Sequence, residues 1–405
     1  MTPGYPLSKI RYMVSGQKDS KDSPQKDRTT DLPPPSKMRS CLFAAATTLV
    51  LGILIPLVVA EIGLRLFWKG YYVKETAGRF ERSATYGWEN KPGFVGIHGA
   101  PEFKVTVTHN SQGYRGKEVS PDRITGASRV AFLGDSMTYG HGVEDDETFV
   151  ALLDGEIETL NLAVGGYSTA QEYTTLVEKA FGLQPDLVVL CMFWNDLYWE
   201  DLDSPGPRMV VQDGNLVRKV ADEKRMSEER ILQPPSPSKE LWSSLYLYRL
   251  VSDNLKILKS AFKDSFEGDF EESSEERERE TWEITEALLV AMASECESRG
   301  VRFLAVLIPD QVEVERGARV VGLPRQFSGL RDRLTEVADR HTIPFYSPLE
   351  CLKDSYEKEG TPYYYRMNRH LTVAGNRAMA DCIGPVILES LGKKPGTVNK
   401  DNCPL

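Results

Sequence analysis

Positive charge is in short supply in this chain. Its 405 residues carry 49 Lys and Arg against 59 Asp and Glu, giving a net charge of −10 and a pI near 5.3. Phosphate binding needs a basic face, so this balance argues against a nucleic-acid partner. Cysteine is sparse and scattered. Cys41, Cys191, Cys296, Cys351, Cys382 and Cys403 include no close pair, which speaks against a zinc site or a thiol redox motif. Cys191 lies in an apolar run and Cys296 on an apolar helix face, so both read as small buried hydrophobes. A disulfide such as Cys351–Cys382 is compatible with the sequence. His98, His109, His141 and His341 show no ligand-like spacing with one another or with carboxylates, which predicts no catalytic metal. Gly140 and Gly142 lack the following Lys-Ser or Lys-Thr of a phosphate loop. No internal repeat is visible, and no cofactor is expected.

What the chain does contain is one long uncharged run, Cys41 to Ala60, of about 20 residues, the length that spans a bilayer as a helix. Pro56 is placed to kink it, and Trp68, Tyr71 and Tyr72 follow where an interfacial aromatic belt belongs. Residues 1–40 read as a flexible polar tail and residues 41–68 as a transmembrane signal anchor. The leading region is long, and neither a small-residue cleavage site nor a lipobox stands out. Lys37 and Arg39 precede the run while Arg65 and Lys69 follow it, so the charge bias is weak. A short tail and one span before a large domain still favour a cytoplasmic N-terminus and a periplasmic or extracellular domain.

Residues 69–128 read as a β-rich lead-in. Phe103 to Thr108 alternates like a half-buried strand, and Asn110-Ser-Gln-Gly-Tyr-Arg-Gly116 follows as a turn. From Arg129 strands and helices alternate. Strands are expected at Val130–Leu133, Leu160–Val164, Leu187–Phe193, Val301–Ile308 and Ile343–Tyr346. Helices are expected at Ala170–Phe181, Thr281–Arg299 and Phe327–Arg340, a rhythm that predicts a parallel sheet covered on both faces. Within Thr281–Arg299, Trp282, Leu289, Met292 and Cys296 share one face. The rhythm breaks at about 200–280, an insertion with a Pro-Ser run at Gln233–Ser238, a helix expected at Trp242–Leu258 and an acidic stretch at Asp264–Glu280. Residues 392–405 form a C-terminal tail.

Candidate chemistry gathers at strand ends, where open α/β sheets bind ligands. Ser136 follows the first strand in Gly134-Asp135-Ser136, as a helix cap or as a nucleophile. Gly165-Gly166 ends the second strand, where a free amide can face an oxyanion, or simply forms a turn. Asn195 ends the third strand with a donor side chain. His370 follows the last strand, where an imidazole can take the serine proton.

Taken in order over Arg129 to Leu391, these four pieces resemble the SGNH (GDSL-type) hydrolase superfamily. The resemblance implies a flavodoxin-like three-layer α/β/α sandwich with a five-stranded parallel sheet. It implies Ser136 as nucleophile, His370 as base, and an oxyanion hole made of the Ser136 amide, the Gly166 amide and the Asn195 side chain. Together with the anchor, the Asn110 to Arg115 motif is similar to bacterial envelope members, some of which act on exported polysaccharides. One position departs from the pattern. Members usually carry Asp two or three residues before the His, and here Asn368 occupies the acid position. In a trypsin-like triad, Asp-to-Asn lowers turnover by about 10⁴ through the wrong tautomer. Asp310, just past the fourth strand, is a candidate substitute acid.

The function expected is a serine esterase acting on an acyl ester, an O-acetyl group on a carbohydrate by resemblance. The alternatives are an O-acetyltransferase using the same site and a non-catalytic glycan-binding module. Expected partners are a small-molecule or polysaccharide ester and the membrane through residues 41–68. Oligomeric state is not legible.

Overall fold

The computed structural model describes residues 35–67, 75–120, 123, 126–155, 157–199, 208–213, 215–219, 241–242, 244–252, 255, 275–315 and 329–393. The chain divides into two units, Met1–Val58 and Val59–Leu405. A helical stretch begins at Pro35, inside the segment expected to be tail, with α1 (Pro35–Leu49), a π-helical turn at Val50–Leu54 and α2 (Ile55–Phe67). Proline suits a first helical position because its missing N–H has no partner there anyway. Lys37–Phe67 is long and apolar enough to cross a membrane. Pro56 is accommodated by the π turn just before it, where wider bonding relieves the clash between the ring and the carbonyl four residues back. Trp68, Tyr71 and Tyr72 lie outside the described residues.

The lead-in forms two antiparallel hairpins. One pairs β1 (Phe80–Ser83) with β2 (Gly87–Asn90), and the other pairs β3 (Val95–Ala100) with β4 (Phe103–Thr108). β4 covers the segment in which alternation was expected, with Phe103, Val105 and Val107 buried.

The main sheet contains β5 (Ser128–Gly134), β6 (Ile157–Asn161), β7 (Leu187–Met192), β10 (Arg302–Leu307) and β11 (Phe345–Tyr346), while β8 (Arg208–Gln212) and β9 (Asn215–Lys219) belong to the insertion. All its pairings are parallel, in the spatial order β6-β5-β7-β10-β11. This is the 2-1-3-4-5 order of flavodoxin-like folds, whose switch point lies between the first and third strands. Side chains of β5 and β7 alternate between two cores. Val130, Phe132, Val189 and Cys191 pack under the helices Leu349–Glu359 and Val373–Ser390. Ala131, Leu133, Leu190 and Met192 pack under Thr169–Glu178, Glu275–Ser298 and Leu330–His341. Trp282, Leu289, Met292 and Cys296 all turn inward as the helical period required. Burial on both faces explains why these strands read as unbroken apolar runs. The fold is the three-layer α/β/α sandwich expected.

β6 starts three residues earlier than expected. Parallel pairing with Ser128–Phe132 fixes its register from Ile157. Leu162 and Val164, assigned to the strand from their hydrophobicity, continue beyond it with one-sided bonds to Phe132 and Gly134 carbonyls. The insertion supplies a hairpin that the broken rhythm hid, β8 (Arg208–Gln212) with β9 (Asn215–Lys219). The Pro-Ser run at Gln233–Ser238 and most of the acidic stretch lie outside the described residues. Cys351 and Cys382 form a disulfide joining the last two helices, while Cys191 and Cys296 are free and buried.

Candidate active site

Ser136 stands where β5 meets a short helix, Ser136–Tyr139, at the switch point of the sheet. Asp135 caps that helix, its Oδ1 accepting from the Met137 amide at 2.8 Å. Gly134 makes the close join possible. A Cβ there would lie 2.2 Å from Thr138 Oγ1 and 2.9 Å from the Cys191 carbonyl oxygen. The Ser136 hydroxyl lies 2.8 Å from His370 Nε2 and 3.2 Å from Asp135 Oδ2, so the imidazole is its nearer acceptor.

His370 Nδ1 has two partners, Asn368 Oδ1 at 2.6 Å and the Asn368 carbonyl oxygen at 3.1 Å. A carbonyl can only accept, so Nδ1 carries the proton and Nε2 presents its lone pair to the hydroxyl. This is the tautomer a base requires, and it is held without a carboxylate. What Asn368 does not supply is negative charge. Burial pushes the imidazole down to about 4, the bond to the Asn368 backbone opposes the shift, and the positive charge of Arg369 adds to it.

Asp310 does not fill the acid position. Its Oδ2 accepts from Arg369 Nη2 at 2.5 Å and from Trp194 Nε1 at 3.1 Å, and its Oδ1 caps the helix Gln311–Val314. Asp310 is buried, and Arg369 has a positive φ of 65°. That conformation costs a side-chain-bearing residue on the order of 1 kcal/mol. The ion pair holds it and so presents His370, the next residue, to Ser136. Glu102, in the turn between β3 and β4, braces the same loop by accepting the Met367 and Asn368 amides at 2.9 and 2.8 Å.

The expected oxyanion donors differ in how they are engaged. Gly166 has a φ of 81° in the turn that follows β6, and no hydrogen bond engages its amide among the described residues. The neighbouring Gly165 lies against Ser136, since a Cβ on it would be 3.9 Å from the serine Cβ. Asn195 Nδ2 gives one hydrogen to Asp135 Oδ2 at 3.0 Å, which fixes the amide and leaves its second N–H. The Ser136 amide also leans on the Asp135 carboxylate, whose own pKa is raised by burial against these bonds.

Two histidines that sequence spacing left unassigned stand at the site. His141 stacks on His370, with ring centroids 4.1 Å apart at 25°. His98 lies edge-on to His141 at 4.2 Å, and its Nδ1 is 2.6 Å from Glu75 Oε1. Burial pushes the His141 imidazole far below its ordinary range, with the neighbouring histidines adding to the shift. The Asn110 to Arg115 motif braces the segment that follows Ser136. Arg115 donates to the Tyr139 carbonyl at 2.7 Å and the Val143 carbonyl at 2.5 Å, binds the Gly140 carbonyl, and pairs with Asp145 at 2.9 Å. Hairpin β1–β2 secures the glycine turn, with Trp88 Nε1 donating to the Gly165 carbonyl at 3.1 Å.

No protein-family model matches the chain, and no curated protein sequence matches it. Among solved structures it is similar to an acetylxylan esterase from Geobacillus stearothermophilus. The identity is 12% and the TM-score 0.35, over 67% of this chain and 98% of that one. It is similar to a second acetyl xylan esterase at 14% identity and TM-score 0.38, over 64% of this chain and 99% of that one. An alpha/beta hydrolase enzyme from the metagenome of Lake Arreo, Spain, matches at 14% identity and TM-score 0.36, over 66% and 97%.

Proposed function

We propose that this chain is a membrane-anchored serine esterase that forms an acyl-enzyme on Ser136. The observation that carries the reading is the 2.8 Å contact between Ser136 Oγ and the unprotonated Nε2 of His370. His370 accepts the hydroxyl proton as Ser136 Oγ attacks the ester carbonyl. The oxyanion is held by the Gly166 amide, the free N–H of Asn195 and the Ser136 amide, which it shares with Asp135. Collapse of the tetrahedral intermediate expels the alcohol, which takes the proton back from His370 Nε2. Water, deprotonated by the same nitrogen, then releases the acid and restores the hydroxyl.

Substrate class follows from resemblance: an O-acetyl ester on a carbohydrate. An exported domain is supported by the apolar helix Lys37–Phe67 and by the Cys351–Cys382 disulfide, a bond that persists in oxidising compartments. The test is hydrolysis of a chromogenic acetate ester by the detergent-solubilised full chain. Turnover that Ser136→Ala abolishes supports the reading. Equal rates in both proteins, matching buffer, would reject it.

A further inference from the structure

Among its described residues, the insertion that follows β9 carries a patch of large apolar side chains turned to the outside. Leu241, Trp242, Tyr248, Val251 and Leu255 are each between 47% and 66% exposed. Trp242 and Tyr248 lie together, with ring centroids 5.9 Å apart. Five such side chains in so short a stretch of sequence, two of them paired, are more than scattered surface hydrophobes and mark a surface that meets something apolar.

The attachment of this segment indicates what it meets. The Tyr246 and Leu247 amides, in the first turn of the helical stretch at 246–252, donate to Glu61 Oε1 and Oε2 at 3.0 and 2.9 Å. Arg65 Nη2 donates to the Ser244 carbonyl at 2.9 Å, and its guanidinium lies 5.4 Å from the Tyr246 ring centroid. Glu61 and Arg65 also pair with each other at 2.7 Å. Glu61 is the first charged residue after the uncharged run Cys41 to Ala60. At 1.5 Å per residue that run rises about 30 Å, the thickness of a bilayer's hydrocarbon core. Glu61 therefore marks the height at which hydrocarbon ends, and residues 244–247 are fastened to it at that height. Tryptophan and tyrosine are the side chains that favour this boundary, with an apolar body and a polar tip.

We propose that residues 241–242, 244–252 and 255 form an interfacial apron, lying on the bilayer surface with Leu241, Trp242, Tyr248, Val251 and Leu255 in the boundary between headgroups and acyl chains. The apron rests on the reading of Lys37–Phe67 as a membrane span. It gives the exported domain a second lipid contact beside its anchor, held by Glu61 and Arg65.

The test uses the full chain with Cys41 and Cys403 changed to Ser, leaving the buried Cys191 and Cys296 and the disulfide in place. Ile53→Cys, Tyr248→Cys and Lys358→Cys are each labelled with a nitrobenzoxadiazole fluorophore and reconstituted into phosphatidylcholine–phosphatidylglycerol vesicles. The expected result is quenching at 53 by deep doxyl lipids, at 248 by shallow doxyl lipids, and at the exposed Lys358 position by aqueous iodide alone. Glu61→Gln is expected to increase iodide quenching at 248. Iodide access at 248 equal to that at 358 would overturn the apron. Shielding of 248 from both quenchers would also overturn it, in favour of a second copy covering the patch. Lipid quenching at 53 without any at 248 removes the apron alone, whereas no lipid quenching at 53 removes the span and the apron with it.

Discussion

Asn368 and His370 are joined twice, through the asparagine side-chain oxygen at 2.6 Å and its backbone carbonyl at 3.1 Å from the same imidazole nitrogen. The neutral residue thus does half of an aspartate's work. It orients the ring and fixes the tautomer, but it offers no charge to stabilise an imidazolium.

Asn368→Asp should restore the missing half. A carboxylate beside Nδ1 favours the charged ring and opposes the burial that holds His370 near 4. The acid limb of kcat/KM should then move up from about pH 4 towards the ordinary histidine range. Turnover at neutral pH should rise by about tenfold, less than the roughly 10²–10⁴ that general acid–base catalysis contributes as a whole, because His370 already acts as a base without the charge. A pH–rate profile checks this, and an unmoved acid limb would mean that His370 is not the group being titrated.

Asp310→Asn should act on His370 indirectly, chiefly through Arg369. Losing the charge weakens the ion pair that holds the positive-φ loop. Turnover should fall by about tenfold or less, whereas loss of a triad acid costs about 10⁴. Steady-state kinetics of the variant distinguish the two, and a loss of several orders of magnitude with the fold intact would make Asp310 the acid after all.

Stability should decline as pH falls from about 6.5 to about 4. Burial holds His109 and His370 down to about 4, and holds His98 and His141 below their ordinary value too. The unfolded chain titrates these groups near 6.5, so between the two values it binds more protons than the folded chain. The contribution is therefore fully present above about 6.5 and lost on acidification. Urea midpoints at pH 7.5 and pH 5 measure it, and equal midpoints would contradict it.

Breaking the Cys351–Cys382 bond should destabilise the face of the sheet under the last two helices. The crosslink closes a sequence separation of 31 residues. Chain-entropy reasoning puts that at roughly 3–4 kcal/mol. Denaturant unfolding of a Cys351→Ser, Cys382→Ser variant checks the figure, and an unchanged midpoint would show that the bond contributes nothing.

The sheet was legible because its strands are buried on both faces and announce themselves as apolar runs. Ser136, Gly166 and Asn195 follow apolar runs directly and could be placed at strand ends, whereas His370 follows no such run and could be placed only between the last strand and the final helix. β6 was misplaced because hydrophobicity continues through Leu162 and Val164 after two-sided pairing has stopped. Asp310 drew attention by position alone, and position does not say which way a carboxylate turns. His98, Glu75 and Glu102 reach the site from the lead-in, and the stacked His141 from the loop after the helix Ser136–Tyr139. Such contacts depend on how hairpins dock on a sheet edge and leave no spacing to read. The one available signal was the Asn110 to Arg115 motif, whose Arg115 binds the Tyr139 and Val143 carbonyls just past Ser136.

The most direct test of the central claim is to trap the nucleophile. The full chain is treated with a fluorophosphonate, digested and examined by mass spectrometry. One phosphonate adduct is expected, on the peptide containing Ser136, that is absent in Ser136→Ala and much slower to form in His370→Ala. A chain that forms no adduct, or forms it equally in the alanine variants, would contradict a serine nucleophile at this site.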